Sequence, residues 1–292
     1  MFLTEKKLDR RIAELESYRY RDARDLEQFL VKEDDQGLVN PVVPQCFDGW
    51  NTLGTGEYWS GRDMYLWMHR DISIPEEWKK HKIVFLIDFG RSKGPCVRRF
   101  ELMFYLNGAI YQGMDENHKE VFLSDSLCGT IVDVTLRAWS GLEDGGVPEV
   151  QEHRLEYACL AWLDERVDDL YYLASMVLKT VECLGDKDPV TYELRTALDQ
   201  AFQRIDWSYP GSEGFYRSVY EADEFLNERI DSMEKHSSVE IWCTGHSHID
   251  LAWLWRTRHT KEKASRTFST VLRMMEMYPE YIFLQSQPQL YE

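Results

Sequence analysis

The sequence predicts an α+β multidomain chain: an N-terminal helix, an antiparallel β-sandwich, a helical connector, and the start of a parallel α/β unit. Three observations predict it. Apolar residues recur at spacings of three and four over the first stretch and again over 164–234. Short apolar runs separated by turn residues fill the interval from 50 to 163. The last stretch then reads strand, helix, strand. These textures divide the chain into an N-terminal helical segment 1–49, a sandwich 50–163, a connector 164–237 and a βαβ unit 238–292.

The first helix is expected over residues 4–30, where Leu8, Ile12, Leu15 and Tyr18 share a face. Gly37, Pro41 and Pro44 break that pattern. Strands follow in "MYLWMHRDISIP", which alternates at Tyr65, Trp67 and His69, and in the dense run "HKIVFLIDFG". "FELMFYLNGAIYQG" reads as a hairpin, because Asn107-Gly108 supplies two residues that tolerate positive φ. "GTIVDVTLRAWSG" and "HRLEYACLAWLDE" continue the series, and many short strands at this spacing predict a sandwich or jelly roll. Val167, Leu170, Leu173, Ala174, Val177, Leu178 and Val181 then form one helical stripe ended by Gly185, and two more helices follow. In the final unit "VEIWCTG" is expected as a strand from Val239 to Thr244. A helix with Ala264, Phe268, Val271, Leu272 and Met275 on its stripe comes next, and "YIFLQSQ" supplies a parallel second strand. A lone βαβ cannot bury both faces of its strands, so this unit is expected to be weakly anchored unless it packs on the sandwich or another chain.

Composition narrows the function. With 34 basic against 51 acidic residues the net charge is −17, a field that repels nucleic-acid phosphate and anionic membrane. The 10 Trp, 16 Tyr and 13 Phe suit either a large aromatic core or contact with sugar faces. Six scattered cysteines without a CxxC pair, and a start "MFLTEKKLDRRIAELE" without an apolar signal region, point to reduced thiols and a cytoplasmic location.

The chemistry concentrates in "CTGHSHIDLAWLWRTR", Cys243 to Arg258. His246, His248 and Asp250 alternate directly after the expected strand, so in extended backbone they point to one side. A neutral imidazole and a carboxylate so placed suit Zn²⁺; a histidine that merely hydrogen-bonds a loop fits the spacing equally well. Trp253 and Trp255 suit stacking on a sugar, with at least one of the two expected in the core. Arg256 and Arg258 read as a solvated helix start, with pairing of either to an acidic neighbour as the alternative. Asp48, Glu57 and Asp63, in a Gly-rich aromatic stretch, read as a sandwich loop packed on the later segment. P-loop order, GxGxxG and GxSxG are absent from the sequence.

The stretch "GHSHIDLAWLW" and the helix behind it resemble the α-mannosidases of glycoside hydrolase family 38. "FDGW", "GEYWSGRDMYLWMHRDISIP" and "YLNGAIYQGMDENHKEVFL" are similar to the N-terminal region of its cytosolic branch. The resemblance implies a galactose-binding-like jelly roll followed by the opening of a β/α-barrel-like catalytic domain. It implies His248 and Asp250 as ligands of an active-site Zn²⁺, for which Co²⁺ is an alternative, and Trp253 in the sugar-binding subsite. It implies retaining hydrolysis of mannose-containing oligosaccharides through two carboxyl groups, with a homo-oligomer as the expected assembly. The family's PDxFG-like nucleophile motif does not occur in the sequence, so the catalytic nucleophile and acid/base are expected downstream and the chain alone is expected to be silent. Two other readings remain: an amidohydrolase-like metal hydrolase built on His246 and His248, and a non-catalytic sandwich that binds sugar or supports assembly.

Overall fold

The structure is a computed structural model that describes residues 4–37, 39–90, 100–143, 145, 147–234 and 239–291. Two compact units share the chain, 1–23 with 161–239 and 24–160 with 240–292.

The first unit is helical. It contains α1 (Thr4–Glu16), α2 (Glu165–Leu184), α3 (Pro189–Phe202) and α4 (Glu213–Asp231). The apolar stripe read from the sequence forms its core: Leu8, Ile12 and Leu15 pack with Val167, Leu170, Ala174 and the inner faces of α3 and α4. Side chains close the helix starts as their types predict. Asp188 accepts from the Val190 amide at 2.9 Å and Ser212 from that of Phe215 at 3.2 Å. Gly185 ends α2 at φ 72°, where a Cβ would be strained.

The helix expected over 4–30 stops at Glu16, and residues 20–25 and 28–33 are strands β1 (Tyr20–Asp25) and β2 (Gln28–Glu33). The apolar residues Leu26, Phe29, Leu30 and Val31 fit either period. Pairing decides it: Phe29 and Val31 bury on one side of β2 while its backbone joins a sheet.

The second unit holds the remaining strands: β3 (Asn51–Gly54), β4 (Tyr58–Gly61), β5 (Tyr65–Ser73), β6 (Lys82–Asp88), β7 (Glu101–Leu106), β8 (Ala109–Asp115), β9 (Glu120–Leu123), β10 (Ile131–Trp139), β11 (Gln151–Arg154) and β12 (Tyr157–Leu163). Six of them form a sheet in the order β3-β2-β5-β10-β7-β8, with antiparallel neighbours throughout. A second sheet runs β1-β12-β6-β9. Their inner faces meet, Phe85 on β6 lying 5.1 Å from Phe104 on β7. The Asn107-Gly108 turn forms as read, with φ of 50° and 78°.

β5 does not alternate buried with exposed as expected; Tyr65, Leu66, Trp67, Met68 and His69 are all buried. The inner residues Leu66 and Met68 join the sandwich core. Their outer neighbours are covered by residues 43–50 and by α5 (Thr257–Met277). Val43 and Trp50 pack on Trp67, Met103 and Tyr105, and Phe47 stacks on His69 at 3.5 Å. On the far side Thr270 Oγ1 donates to the Gly113 carbonyl at 3.0 Å. A Cβ on Gly113 would stand 2.6 Å from the Arg266 carbonyl oxygen, so α5 sits against bare backbone there. Gly113→Ala is expected to push α5 off β8 and cost about 1–3 kcal/mol, read as a lower urea midpoint.

The final βαβ unit is smaller than expected. The strand read over Val239–Thr244 does not form; pairing is limited to β13 (Gly245–His246) and β14 (Phe283–Leu284), which are parallel. Ile241 and Trp242 are 83% and 86% exposed, so nothing buries their side chains into a sheet. The expected stripe of α5 is only partly buried: Ala264 and Val271 are inside, whereas Leu272 is 57% exposed. The inward face of α5 is instead polar, since Glu262 and Ser269 are buried against the sheet. The packing on the sandwich that the weak unit needed is therefore present for α5.

Candidate active-site segment

The motif from Cys243 to Arg258 is laced to its neighbours by backbone and polar contacts. The Gly245 amide donates to the Ile282 carbonyl at 2.7 Å, and Gln285 Nε2 donates to the Ser247 carbonyl at 3.0 Å. Thr260 Oγ1, in the first turn of α5, donates to the Leu251 carbonyl at 2.5 Å and accepts from Trp255 Nε1 at 3.1 Å. Ile249 is buried beside Ala264 and Leu290. Anchoring Ile249 inward turns its neighbours outward, as the two-residue period requires.

His248 and Asp250 accordingly emerge on one side. His248 Nε2 lies 3.2 Å from Asp250 Oδ1, and the two side chains are 73% and 40% exposed. His246 is also exposed. It lines, with His248, a cavity of about 520 Å³ whose other walls include Trp255, Lys263, Arg266 and His118. Asp250 and Trp253 are not among its lining residues. Trp253 is 68% exposed, and Trp255 is half-buried with Lys263 Nζ 4.9 Å over its ring. Neither tryptophan is in the core, contrary to the expectation that one would be; the short β13 leaves no layer above them to fill.

Charged groups that the sequence did not single out hold α5 beneath this segment. Glu101 pairs with both Lys263 and Arg266. Burial alone would raise its carboxyl, but Arg266 and Lys263 outweigh it and hold Glu101 below the usual carboxylate range. Arg137 donates to Asp34 at 2.9 Å and to Glu262 at 3.0 Å, and Tyr65 donates to Glu262 at 2.6 Å. Across the cavity His118 lies 3.0 Å from Asp115, which raises the imidazole.

Asp63 behaves as the sandwich-loop reading expected. It touches the later segment, with Oδ1 2.6 Å from His259 Nε2 and Oδ2 2.6 Å from Arg258 Nη2. The alternative reading of the two arginines holds: Arg258 pairs with Asp63, and Arg256 lies 3.4 Å from the same carboxylate. The Arg256 amide donates to His259 Nδ1 at 3.0 Å, so Nε2 carries the proton given to Asp63. Asp48 and Glu57 stay in the loops: Glu57 caps the Gly54 amide at 2.6 Å.

Residues 238–292 match the family described as Glycosyl hydrolases family 38 N-terminal domain. Alpha-mannosidase G of Dictyostelium discoideum is 50% identical over 56 residues, which is 19% of this chain and 5% of that protein. Alpha-mannosidase 2C1 of Mus musculus is 25% identical over 239 residues, 77% of this chain and 22% of that protein. The chain thus spans less than a quarter of the length of these relatives. Among solved structures a β-glucuronidase from Ruminococcus gnavus aligns over 49% of this chain and 29% of its own, at 12% identity and a TM-score of 0.33, a likeness too slight to bear on function. No helix among the described residues is long and apolar enough to cross a membrane. Residues 238–292 thus match the glycosyl hydrolase family 38 N-terminal domain, and the relatives that the chain resembles are alpha-mannosidases.

Proposed function

We propose that this chain is the N-terminal part of a zinc-dependent, retaining α-mannosidase that hydrolyses terminal α-D-mannosides of oligosaccharides, and that the polypeptide alone is silent. The observation that carries the reading is the placement of His248 Nε2 and Asp250 Oδ1, 3.2 Å apart and solvent-facing, inside the segment that matches the family. Two ligands about 2.0–2.2 Å from one tetrahedral ion stand roughly 3.4 Å apart, so the pair fits Zn²⁺ or Co²⁺ without rearrangement. Zinc, when bound, supplies a Lewis acid that holds and polarises sugar hydroxyls.

The chain's own residues do the rest. Ile249, buried between them, leaves His248 and Asp250 to converge on one solvent-facing side. Trp253 offers an exposed ring face suited to the apolar side of a mannose. Gln285 and Thr260 hold the backbone on either side of the ligands. The nucleophile and the acid/base carboxyl lie outside this sequence in this reading, and the setting is cytoplasmic, in keeping with cysteines that are free wherever they are described. Titration of the chain with Zn²⁺ tests the site: Asp250→Asn should weaken the proposed binding by roughly tenfold or more while leaving the fold intact. An amidohydrolase-like pair, His246 with His248, would keep its metal in that variant. Turnover of an aryl α-mannoside by this polypeptide would defeat the claim of silence.

A further inference from the structure

The outer face of the six-stranded sheet carries a second set of donors away from the His248 segment. His69 and Asp71 lie two apart on β5 and therefore on one face. The register sets Thr135 of β10 opposite His69, and Asp133 opposite Asp71. Like charges directly opposed across an antiparallel pair repel. Among the described residues no lysine or arginine pairs with either carboxylate; Asp71 instead lies 3.7 Å from His69 Nε2, and Asp133 3.7 Å from Nδ1. One ligand atom from each of His69, Asp71 and Asp133 lies within 4.8 Å of the others.

Hydrogen bonding fixes which ring nitrogen is free. Thr135 Oγ1 donates to Asp133 Oδ1 at 2.9 Å, so its oxygen accepts from His69 Nδ1–H at 3.2 Å. Nε2 then carries a lone pair, and that lone pair faces Asp71 Oδ1 at 3.7 Å, acceptor against acceptor. The ring is 5% exposed and is held flat under Phe47, with an interplanar angle of 6°. Burial holds the imidazole below its ordinary 6.5 against the pull of Asp133 and Asp71, so it is neutral at pH 7. The bare Nε2 meets only the Asp71 carboxylate, an opposition that a cation relieves, while Asp133 flanks the Nδ1 side within 4.8 Å.

We propose that His69, Asp71 and Asp133 bind a divalent cation of the Zn²⁺ and Co²⁺ class on the outer face of the sandwich. The imidazole nitrogen disfavours Mg²⁺ and Ca²⁺, which take oxygen donors. The donor atoms stand wider than the roughly 3.4 Å edge of a tetrahedral site, and Asp71, with its side chain 69% exposed, is free to swing inward. The ion ties β5 to β10 and cancels the repulsion between their carboxylates, while water completes its shell on the open side.

The test separates this site from His248 and Asp250. Zn²⁺ is titrated calorimetrically into the full chain carrying H248A and D250N, in chelator-free buffer. Roughly one equivalent should bind, and adding D71N should weaken that binding about tenfold or more, with D133N acting in the same direction. Asp71→Asn is isosteric and exposed, and an unchanged circular dichroism spectrum with apo melting no lower than the parent's shows that the fold survives. Equal affinity with and without D71N would overturn the proposal. So would absence of binding up to millimolar Zn²⁺ in the H248A/D250N background, an outcome that leaves the His248 site standing.

Discussion

Replacing Arg137 with leucine is expected to remove about 3–5 kcal/mol of stability, the largest single effect in the molecule. The guanidinium is buried, donates to Asp34 and Glu262, and lies 4.0 Å over the ring of Tyr65. Leucine fills the volume yet leaves two carboxylates of one sign stranded on the outer face of the sheet. Tyr65, whose hydroxyl is driven upward by burial and by Glu262, still donates to one of them. Urea titration of the variant and the parent at pH 7 checks the size. A loss under about 1 kcal/mol at pH 7 would mean that the cluster is solvated rather than sealed beneath α5.

Asp63→Ala should cost about 2–3 kcal/mol, because one carboxylate serves three donors at the start of α5. His259 Nε2, Arg258 Nη2 and Trp139 Nε1 lie 2.6, 2.6 and 3.1 Å from its oxygens. The negative charge also faces the positive end of the helix. His259 adds a pH signature. Burial depresses its imidazole below 6.5, although Asp63 pulls the other way. A base depressed in the folded state binds fewer protons folded than unfolded, so stability falls as the pH drops through 6.5. Removing Asp63 deletes the opposing pull, so the fall between pH 7 and pH 5 should steepen in the variant. Equal slopes in variant and parent would show that His259 does not titrate against Asp63.

The packing of the Asp63 loop on the later segment was legible in the sequence, whereas the Arg137 contacts with Asp34 and Glu262 were not, because they join distant stretches. Helices α2 to α4 were legible because their stripes are long and periodic, with Gly185 as the stop of α2. The Asn107-Gly108 hairpin was legible because φ > 0 admits few residues. Residues 17–33 were not, since Leu26, Phe29, Leu30 and Val31 satisfy both periods and only β5 selects one. The cover on the outer face of β5 was not legible, because Glu262 on α5 lies 197 residues from Tyr65. The stripe on α5 misled for the same reason: charges on the sheet, not apolar spacing, choose its inward side. The spacing of His248 and Asp250 was legible, whereas the supports from Thr260 and Gln285 were not, because hydroxyl and amide partners of carbonyls leave no periodic trace.

The central claim is that His248 and Asp250 together hold one cation. Anomalous diffraction at the zinc edge, from crystals of the chain grown with Zn²⁺, tests it most directly. The account predicts a peak about 2.0–2.2 Å from both His248 Nε2 and an Asp250 carboxylate oxygen. A peak shared by His246 and His248 with Asp250 turned away, or density at neither residue in zinc-saturated crystals, would contradict it.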